Sequence, residues 1–279
     1  MWNTITITGV GLIGASIGRA IRQRGLARRV VGIGRSPESL RIALAKGAID
    51  DVLPDEDAYA EADLIIFCVP VDHIASLART ASLYAPDGCL ITDAGSTKGA
   101  IVRDLTTLPL RPGVTFVGSH PIAGSEKKGA AHLNGDLFEG RVTVVTPTLD
   151  TPTQPLERIE AFWRSIGSTV VRMGPDEHDE ALALTSHLPH LAASALARLL
   201  PIDYQPLTGT GFRDTTRVAS GDPEIWTAIF RANRGAVGDA LERLIGSLMD
   251  FRQALKLDDP EPLNYLLTQA KKVRDDLGS

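Results

Sequence analysis

The sequence contains little that would mark a membrane protein or a disulfide-stabilised protein. Only two cysteines occur in 279 residues, Cys68 and Cys89, and both lie in apolar stretches where a thiol behaves as a small hydrophobic side chain. The longest apolar run, "ADLIIFCVPV", is about half as long as a membrane span. The N-terminus enters a strand pattern without a basic segment or a cleavage site. We therefore expect a cytoplasmic protein with no disulfide or zinc scaffold and no membrane partner.

An excess of basic residues is also missing. The chain has 29 Lys and Arg against 34 Asp and Glu, which gives a net charge of −5. Binding to a polyanion needs clustered cations, so this balance argues against a nucleic-acid partner. Because 43% of the residues are hydrophobic, the chain can bury a sizeable core.

The first part of the chain alternates short β-branched runs with helical patterns. "TITITG" precedes "LIGASIGRAIRQRG", and "RVVGIG" precedes "SPESLRIALAKG"; further runs are "ADLIIFCVP", "GCLITDAG", "VTFVGSHP" and "RVTVVTP". This pattern predicts an α/β fold, a Rossmann-like, doubly wound parallel sheet with helices on both faces. From about Pro175 the patterns are helical only, and Pro189 should kink one helix. We predict a nucleotide-binding domain over residues 1–174 and an all-helical domain over 175–279.

A glycine-rich loop, "GVGLIG", follows the first predicted strand and precedes a predicted helix. In that setting Gly9 permits a tight turn, Gly11 lets the backbone approach a pyrophosphate, and Gly14 allows close packing of helix on strand. The start of the helix then offers unpaired N–H groups to the phosphates. The loop predicts a dinucleotide site; the alternative is that the glycines serve only the geometry of the turn.

The residue that reads the adenosine ribose should lie about 20 positions after this motif. That position is Gly34, so the acid that would bind a ribose hydroxyl is missing. Arg35 and Ser36 could bind a 2′-phosphate instead. We expect NADP to be favoured and NAD to be possible. The alternative is that Arg35 is a solvated loop residue or stacks on the adenine.

Ligands of open parallel sheets bind beyond the carboxyl ends of the strands, where the chain carries several polar side chains. Ser96 follows the strand "CLITDAG", and His120 lies in "GSHPIAGSEKKG" together with Ser125 and Glu126. An imidazole can accept a proton near neutral pH, so His120 is a candidate base. Alternatively, His120 only hydrogen-bonds loop backbone, and Ser96 only caps a helix.

Several ordered motifs identify a resemblance to a known family. The segments "GVGLIGASIG", "TDAGSTK", "GSHPIAGSEKKG", "SHLPH" and "GFRDTTRVASGDPEIW" resemble those of the TyrA-type prephenate and arogenate dehydrogenases of tyrosine biosynthesis. The resemblance implies a Rossmann-like domain followed by a helical dimerisation domain. It also implies a homodimer formed through the helical domain.

The resemblance further implies roles for individual residues. His120 would be the catalytic histidine and Ser96 its neighbour at the substrate hydroxyl. Arg217 would bind a substrate carboxylate, His190 would help to hold the substrate side chain, and Glu126 would lie at the pocket entrance. The remaining predicted substrate-site residues are Ser125, Arg213 and His187. The predicted cofactor site comprises Gly9, Gly11, Leu12, Ile13, Gly14, Arg35, Ser36, Val69, Pro70 and Ser96.

Other interpretations compete with some of these roles. His187 and His190 share a helix face, as metal ligands could, but no carboxylate or cysteine accompanies them at ligand spacing; no metal is expected. Arg213 and Arg217 could instead form surface salt bridges with Asp214 or Asp222.

The resemblance implies oxidative decarboxylation of prephenate to 4-hydroxyphenylpyruvate. Arogenate is the alternative substrate; arogenate-specific relatives often lack the second histidine of "SHLPH" and the "GSE" after the catalytic histidine, and this chain has both. A 6-phosphogluconate-type dehydrogenase would need a catalytic lysine motif that is missing here. A catalytically silent NADP-binding regulator is disfavoured because His120, Ser96 and Arg217 occur together.

Overall fold

The computed structural model describes residues 1–124 and 129–278. Within these ranges no helix is both long and apolar enough to cross a membrane, and both cysteines are free thiols. The strands are β1 (Trp2–Thr8), β2 (Ala27–Ile33), β3 (Asp51–Val52), β4 (Leu64–Phe67), β5 (Leu90–Asp93), β6 (Thr115–Phe116), β7 (Gly118–Pro121), β8 (Val142–Thr146) and β9 (Thr169–Arg172).

The first six strands form one parallel sheet in the order β3-β2-β1-β4-β5-β6. Side chains of a strand alternate between its two faces, and each face of this sheet carries its own hydrophobic core. Leu64 and Ile66 of β4 belong to one core, and Ile65 and Phe67 belong to the other. The order reverses at β1, as in doubly wound sheets. The predicted α/β fold class is confirmed.

Twelve α-helices accompany the strands in the described residues. They are α1 (Leu12–Arg24), α2 (Pro37–Ala45), α3 (Asp55–Ala60), α4 (Val71–Tyr84), α5 (Gly99–Thr107), α6 (Thr153–Ser165), α7 (Pro175–Leu182), α8 (Leu188–Arg198), α9 (Thr210–Thr216), α10 (Pro223–Ala232), α11 (Arg234–Ala254) and α12 (Pro260–Asp276). Short 3₁₀ helices occur at Ala130–His132, Ile202–Leu207 and Arg217–Ser220.

A second sheet of three strands was not expected. Its order is β7-β8-β9, with β7 antiparallel to β8 and β8 parallel to β9. The run "VTFVGSHP", predicted as one strand, is divided between the two sheets. The Val117 N–H still donates to Ile91 O of the parallel sheet, and the chain then pairs with β8, so that His120 lies opposite Val144. The prediction of a single strand was wrong because the second half of this run pairs with β8, which comes later in the chain.

The helical pattern around "SHLPH" folds as two α-helices joined by a π-helical turn. This turn covers Ala183–His187, between α7 and α8. Pro189 lacks an N–H and its ring crowds the carbonyl four residues earlier, and a π turn is one way to accommodate such a residue within a helix. The interruption therefore lies just before the proline at which a kink was predicted.

The chain divides into two compact units, Met1–Asn233 and the segment from Arg234 onward. Residue 174, the predicted domain boundary, lies between β9 and α7 of the first unit. The second unit contains α11 and α12, which contact each other. On α11, Val237 is buried whereas Leu248 is 58% exposed, so the apolar residues of this helix are only partly covered within one chain.

Candidate active site

The glycine-rich loop adopts the geometry that its sequence predicts. Gly9 has a φ of 97°, and a Cβ at this position would lie 2.3 Å from the carbonyl oxygen of Cys68. A Cβ on Gly14 would lie 2.2 Å from the carbonyl oxygen of Gly9. By contrast, a Cβ on Gly11 would meet no atom within 4 Å. The backbone is thus close-packed behind the loop and open at Gly11.

Helix α1 begins directly after Gly11 without a side-chain cap and without an acidic residue in its first turn. Its first intrahelical bond runs from Ala15 N–H to Gly11 O, so the N–H groups before Ala15 have no partner within the helix. Partial positive charge and free donors at such a terminus suit a diphosphate. These residues fit a dinucleotide cofactor.

A cleft of about 610 Å³ extends from this loop over the end of β2. Gly9, Gly11, Gly34, Arg35, Ser36, Val69 and Pro70 line it. Ser36 caps α2 by accepting a hydrogen bond of 3.2 Å from the Ser39 N–H; its hydroxyl proton can still be donated to a ligand. Asp55, at the start of α3, also lines the cleft; it was not predicted because it follows a strand of only two residues.

A larger cleft of about 900 Å³ adjoins the first one. Gly11 and Cys68 line both. Among the predicted site residues, its lining includes Leu12, Ile13, Ser96, His120, His190 and Arg217. The structure therefore brings the start of α1 together with the candidate base and with residues from the "SHLPH" and "GFRDTTRVASGDPEIW" segments.

His120 lies half-buried in the wall of the larger cleft, on β7. Its Nδ1 is 2.9 Å from Nε2 of His178, and Nδ1 of His178 is 2.8 Å from Oδ1 of Asp179. Both partners lie on α7 and are buried. Desolvation, together with the neighbouring His178, Lys98 and His187, holds the pKa of His120 well below its usual value. The imidazole is therefore uncharged at neutral pH, with one ring nitrogen free to accept a proton.

A buried ion pair fixes the strand that carries His120. Lys98 and Asp93 are both fully buried and paired with each other. The Lys98 ammonium also donates to Ser119 O at 2.9 Å, and the Ser119 N–H donates to Asp93 Oδ1 at 3.0 Å. Ser119 precedes His120 in β7, so the pair connects the end of β5 to the strand that carries His120.

His190 and Trp226 stack at one side of the larger cleft. Their ring centroids are 3.5 Å apart and their planes differ by 11°. A Cβ on Gly221 would lie 2.8 Å from His190 Cε1, so only glycine fits against this stack. Burial lowers the pKa of His190, which leaves an uncharged aromatic surface facing the cleft.

Other predicted site residues lie elsewhere. Gly14 packs beneath the loop and lines neither cleft. His187 is buried, with Nδ1 3.1 Å from the Asn233 amide nitrogen, and Arg213 is exposed on α9; neither lines the larger cleft. Ser125 and Glu126 lie outside the described residues.

The main residues that sequence reasoning missed are His178, Asp179 and Trp226. The first two lie in the run "DEHDE", where a histidine between acids was a usable signal. Within the described ranges, no group of three or more His, Cys, Asp or Glu side chains could hold a metal ion.

Comparison with known proteins assigns the chain to a family. A model described as the nucleotide-binding domain of prephenate dehydrogenase matches residues 17–172, and one described as the prephenate dehydrogenase dimerization domain matches residues 174–269. The chain belongs to the prephenate dehydrogenase family. Members of this family are NAD-dependent oxidoreductases, and the resemblance found in the sequence is confirmed.

Individual relatives agree with this assignment. The chain is 34% identical over 286 residues to prephenate dehydrogenase of Bacillus subtilis, covering 99% of this chain and 76% of the relative. It is 33% identical to cyclohexadienyl dehydrogenase of Zymomonas mobilis, covering 97% and 94%. Prephenate dehydrogenase from A. aeolicus, solved with hydroxyphenyl propionate and NAD+, superposes with a TM-score of 0.91 at 32% identity and covers 99% of this chain and 98% of its own.

Proposed function

We propose that the chain is a prephenate dehydrogenase that converts prephenate to 4-hydroxyphenylpyruvate and carbon dioxide with NAD(P) as oxidant. One observation carries the proposal: His120, whose Nδ1 contacts the buried His178, lies in the same cleft as the uncapped start of α1 and Arg217. Family membership supports the same conclusion.

The proposed reaction assigns a task to each side chain. His120 accepts the proton of the substrate hydroxyl, and Ser96, which lines the same cleft, hydrogen-bonds that hydroxyl. A nicotinamide bound at the start of α1 would supply the oxidising chemistry, as acceptor of a hydride from the carbinol carbon. The bond to the ring carboxylate then breaks, carbon dioxide leaves, and its electron pair makes the ring aromatic with the negative charge on oxygen. The phenolate takes up a proton. The protein mainly orients the reacting groups.

The substrate carries two carboxylates, and Arg217 is our candidate for binding one of them. His190 would support the substrate side chain through the surface it shares with Trp226. Ser125, Glu126, Arg213 and His187 remain predicted contributors to the substrate site.

The test of this activity is a spectrophotometric assay of cofactor reduction with prephenate, arogenate and 6-phosphogluconate in parallel. We expect turnover with prephenate. In His120→Asn, kcat should fall about 100-fold or more while cofactor binding is unchanged, because the amide cannot accept the proton. Faster turnover with arogenate, or a near-normal kcat in His120→Asn, would overturn the assignment.

For the cofactor, we propose a preference for NADP over NAD, although the A. aeolicus relative was solved with NAD+. Gly34, Arg35 and Ser36 lie exposed at the end of β2 and line the cofactor cleft. A charge-assisted contact to the 2′-phosphate contributes about 1.5–3 kcal/mol, equivalent to roughly a 10- to 150-fold preference. Asp55 lines the same cleft and would oppose this preference if it faced the phosphate.

The cofactor preference is tested by kcat/KM for both cofactors in the wild type and three variants. A Cβ on Gly34 would make only ordinary contacts, the nearest at 3.5 Å from Leu40, so Gly34→Asp should fold and should reverse the preference. Arg35→Ala should reduce the NADP preference about tenfold or more, and Asp55→Asn should increase it. A wild type that prefers NAD, or an unchanged ratio in Arg35→Ala, would contradict the proposal.

We further propose that residues 1–174 bind the nucleotide and that residues 175–279 complete the substrate site and form a homodimer. The boundary agrees with the limits of the two matched family models. On α11 and α12, exposed apolar side chains would be covered by the partner chain; they include Leu248, Met249, Tyr265 and Leu267. Sedimentation analysis should give a dimer, and a monomer over the assay concentration range would contradict this.

A further inference from the structure

The pair formed by His178 and Asp179 has no role in the reaction outlined above, although it contacts the candidate base directly. Both residues are at least 95% buried, at 0% and 5% exposure. The three side chains form one chain of contacts, His120 Nδ1 to His178 Nε2 at 2.9 Å and His178 Nδ1 to Asp179 Oδ1 at 2.8 Å. A buried polar chain of this kind restricts which atom carries each proton.

The proton positions follow from the acceptor at the end of this chain. The pKa of Asp179 is lowered by hydrogen bonds from His178 and from the Lys98 and Gly99 N–H groups, which outweigh its burial, so the carboxylate is ionised and can only accept. Nδ1 of His178 must therefore carry a proton. In a neutral His178, Nε2 is then an acceptor, and the proton between the two imidazoles belongs to Nδ1 of His120. Nε2 of His120 is left unprotonated.

We propose that His178 is a positioning residue that holds His120 in the tautomer protonated on Nδ1, so that the unprotonated Nε2 is available to the substrate hydroxyl, and that Asp179 holds His178 in turn. This inference rests on the proposed function of His120 as the base. It goes further because the pair determines which nitrogen of the ring is available.

The same carboxylate also holds the loop that carries Ser96. Asp179 Oδ1 accepts a hydrogen bond from the Lys98 N–H, and Oδ2 accepts one from the Gly99 N–H, both at 2.8 Å. Ser96 lies two residues before Lys98. Asp179 is therefore connected to both groups proposed to act on the substrate hydroxyl, through His178 on one side and through the start of α5 on the other.

The charged and titratable groups that influence this cluster come from four elements. Lys98 at the start of α5 and His187 in the π turn both disfavour protonation of His120, and Asp179 on α7 favours protonation of His187. Asp93 on β5 is paired with Lys98. Lys98 and His187 lower the pKa of His120 through their charge and not through a hydrogen bond to its ring. His178, by contrast, contacts Nδ1 of the ring directly.

The tautomer can be observed directly by two-bond ¹H–¹⁵N correlation spectra of protein labelled with [¹⁵N]histidine. The chain has six histidines, and the His120 signals are identified by their loss in His120→Asn. We expect Nδ1 of His120 to be protonated in the wild type and Nε2 to be protonated in His178→Leu, because the ring then loses the acceptor that selects the tautomer. The same spectra are recorded for His178→Gln, whose side-chain oxygen can still accept from Nδ1 of His120.

Turnover should follow the tautomer. We expect kcat to fall about 30-fold or more in His178→Leu with the KM for cofactor changed less than about twofold, since a wrong tautomer removes the base but not the nucleotide site. His178→Gln should keep the Nδ1 proton on His120 and recover at least about fivefold of the loss. His132→Gln, at an exposed histidine outside both clefts, is the matched control and should behave as the wild type.

Three results would each overturn the proposal: His120 protonated on Nε2 in the wild type, an unchanged tautomer in His178→Leu, or a kcat in His178→Gln no higher than in His178→Leu. If His178→Leu does not fold, the tautomer of His120 in the wild type and in His178→Gln still tests the proposal, since both should carry the proton on Nδ1. The spectra need no turnover, so a failure of the proposed substrate, seen as an inactive wild type, is distinguishable from a failure of the tautomer assignment.

Discussion

Removal of the Lys98 ammonium should destabilise the protein more than most single substitutions. In Lys98→Met the Asp93 carboxylate keeps the N–H groups of Gly95 and Ser119, at 2.9 and 3.0 Å, but loses its counter-ion in a site with no solvent exposure. Ser119 O also loses its donor. Breaking a buried ion pair costs about 3–5 kcal/mol. Because two donors still bind the carboxylate, we expect about 3 kcal/mol.

A double variant that removes both charges of the pair separates the electrostatic contribution to stability from the contribution of side-chain packing. Asp93→Asn alone leaves a buried ammonium without a counter-ion, although burial already lowers the pKa of Lys98 and eases loss of its proton; we expect a cost of about 2–3 kcal/mol. Asp93→Asn combined with Lys98→Met contains neither charge of the pair. The double variant should therefore cost about 2 kcal/mol less than the sum of the singles.

Urea unfolding at one fixed protein concentration measures these free energies, since unfolding of an oligomer depends on concentration. The comparison is valid only if the denaturant dependence of the unfolding free energy stays constant across the four proteins. A cost below about 1 kcal/mol for Lys98→Met, or strictly additive effects in the double variant, would refute the description of a buried, charged pair.

Two further predictions concern the substrate and the pH. Arg217→Ala should raise the KM for prephenate about tenfold or more, while Arg198→Ala, at an exposed position on α8 that does not line the cleft, should leave it within about twofold; equal effects would argue against Arg217 as the carboxylate-binding residue. Burial lowers the pKa of His187 to about 4 from 6.5, so the unfolded chain binds a proton that the folded chain excludes. The contribution of His187 to stability should fall by about 3 kcal/mol as the pH drops from 6.5 to 4, so His187→Gln, compared by urea unfolding at both pH values, should lose less stability than the wild type; an identical pH dependence would contradict this.

Local sequence patterns were sufficient for the first sheet and the cofactor loop. The run "TITITG" followed by three spaced glycines predicted both the strand and the turn at Gly9, because φ and close backbone contacts restrict that position to glycine. Counting onward to Gly34 also identified a residue that lines the cofactor cleft. These features depend on residues that are near one another in the chain or on a standard crossover.

The features that were missed depend on contacts between distant segments. Nothing in "VTFVGSHP" marks where the chain leaves one sheet, because the pairing partner of its second half, β8, lies more than 20 residues away. His120 and His178 are 58 residues apart, and only the packing of α7 against the end of the small sheet brings them together. The periodicity of apolar residues shows which face of a helix or strand is buried. It does not show which other element packs against that face.

Gly11 and Cys68 lie in the walls of both clefts. This shared wall has a consequence for the binding affinities of cofactor and substrate. In the proposed function, a cofactor bound along Gly11 would form part of the surface that the substrate contacts, so each ligand should change the affinity for the other. By linkage, whatever factor the bound cofactor applies to the affinity for substrate, the bound substrate applies to the affinity for cofactor. Substitutions at this shared wall should change the coupling between the two ligands together with each separate affinity.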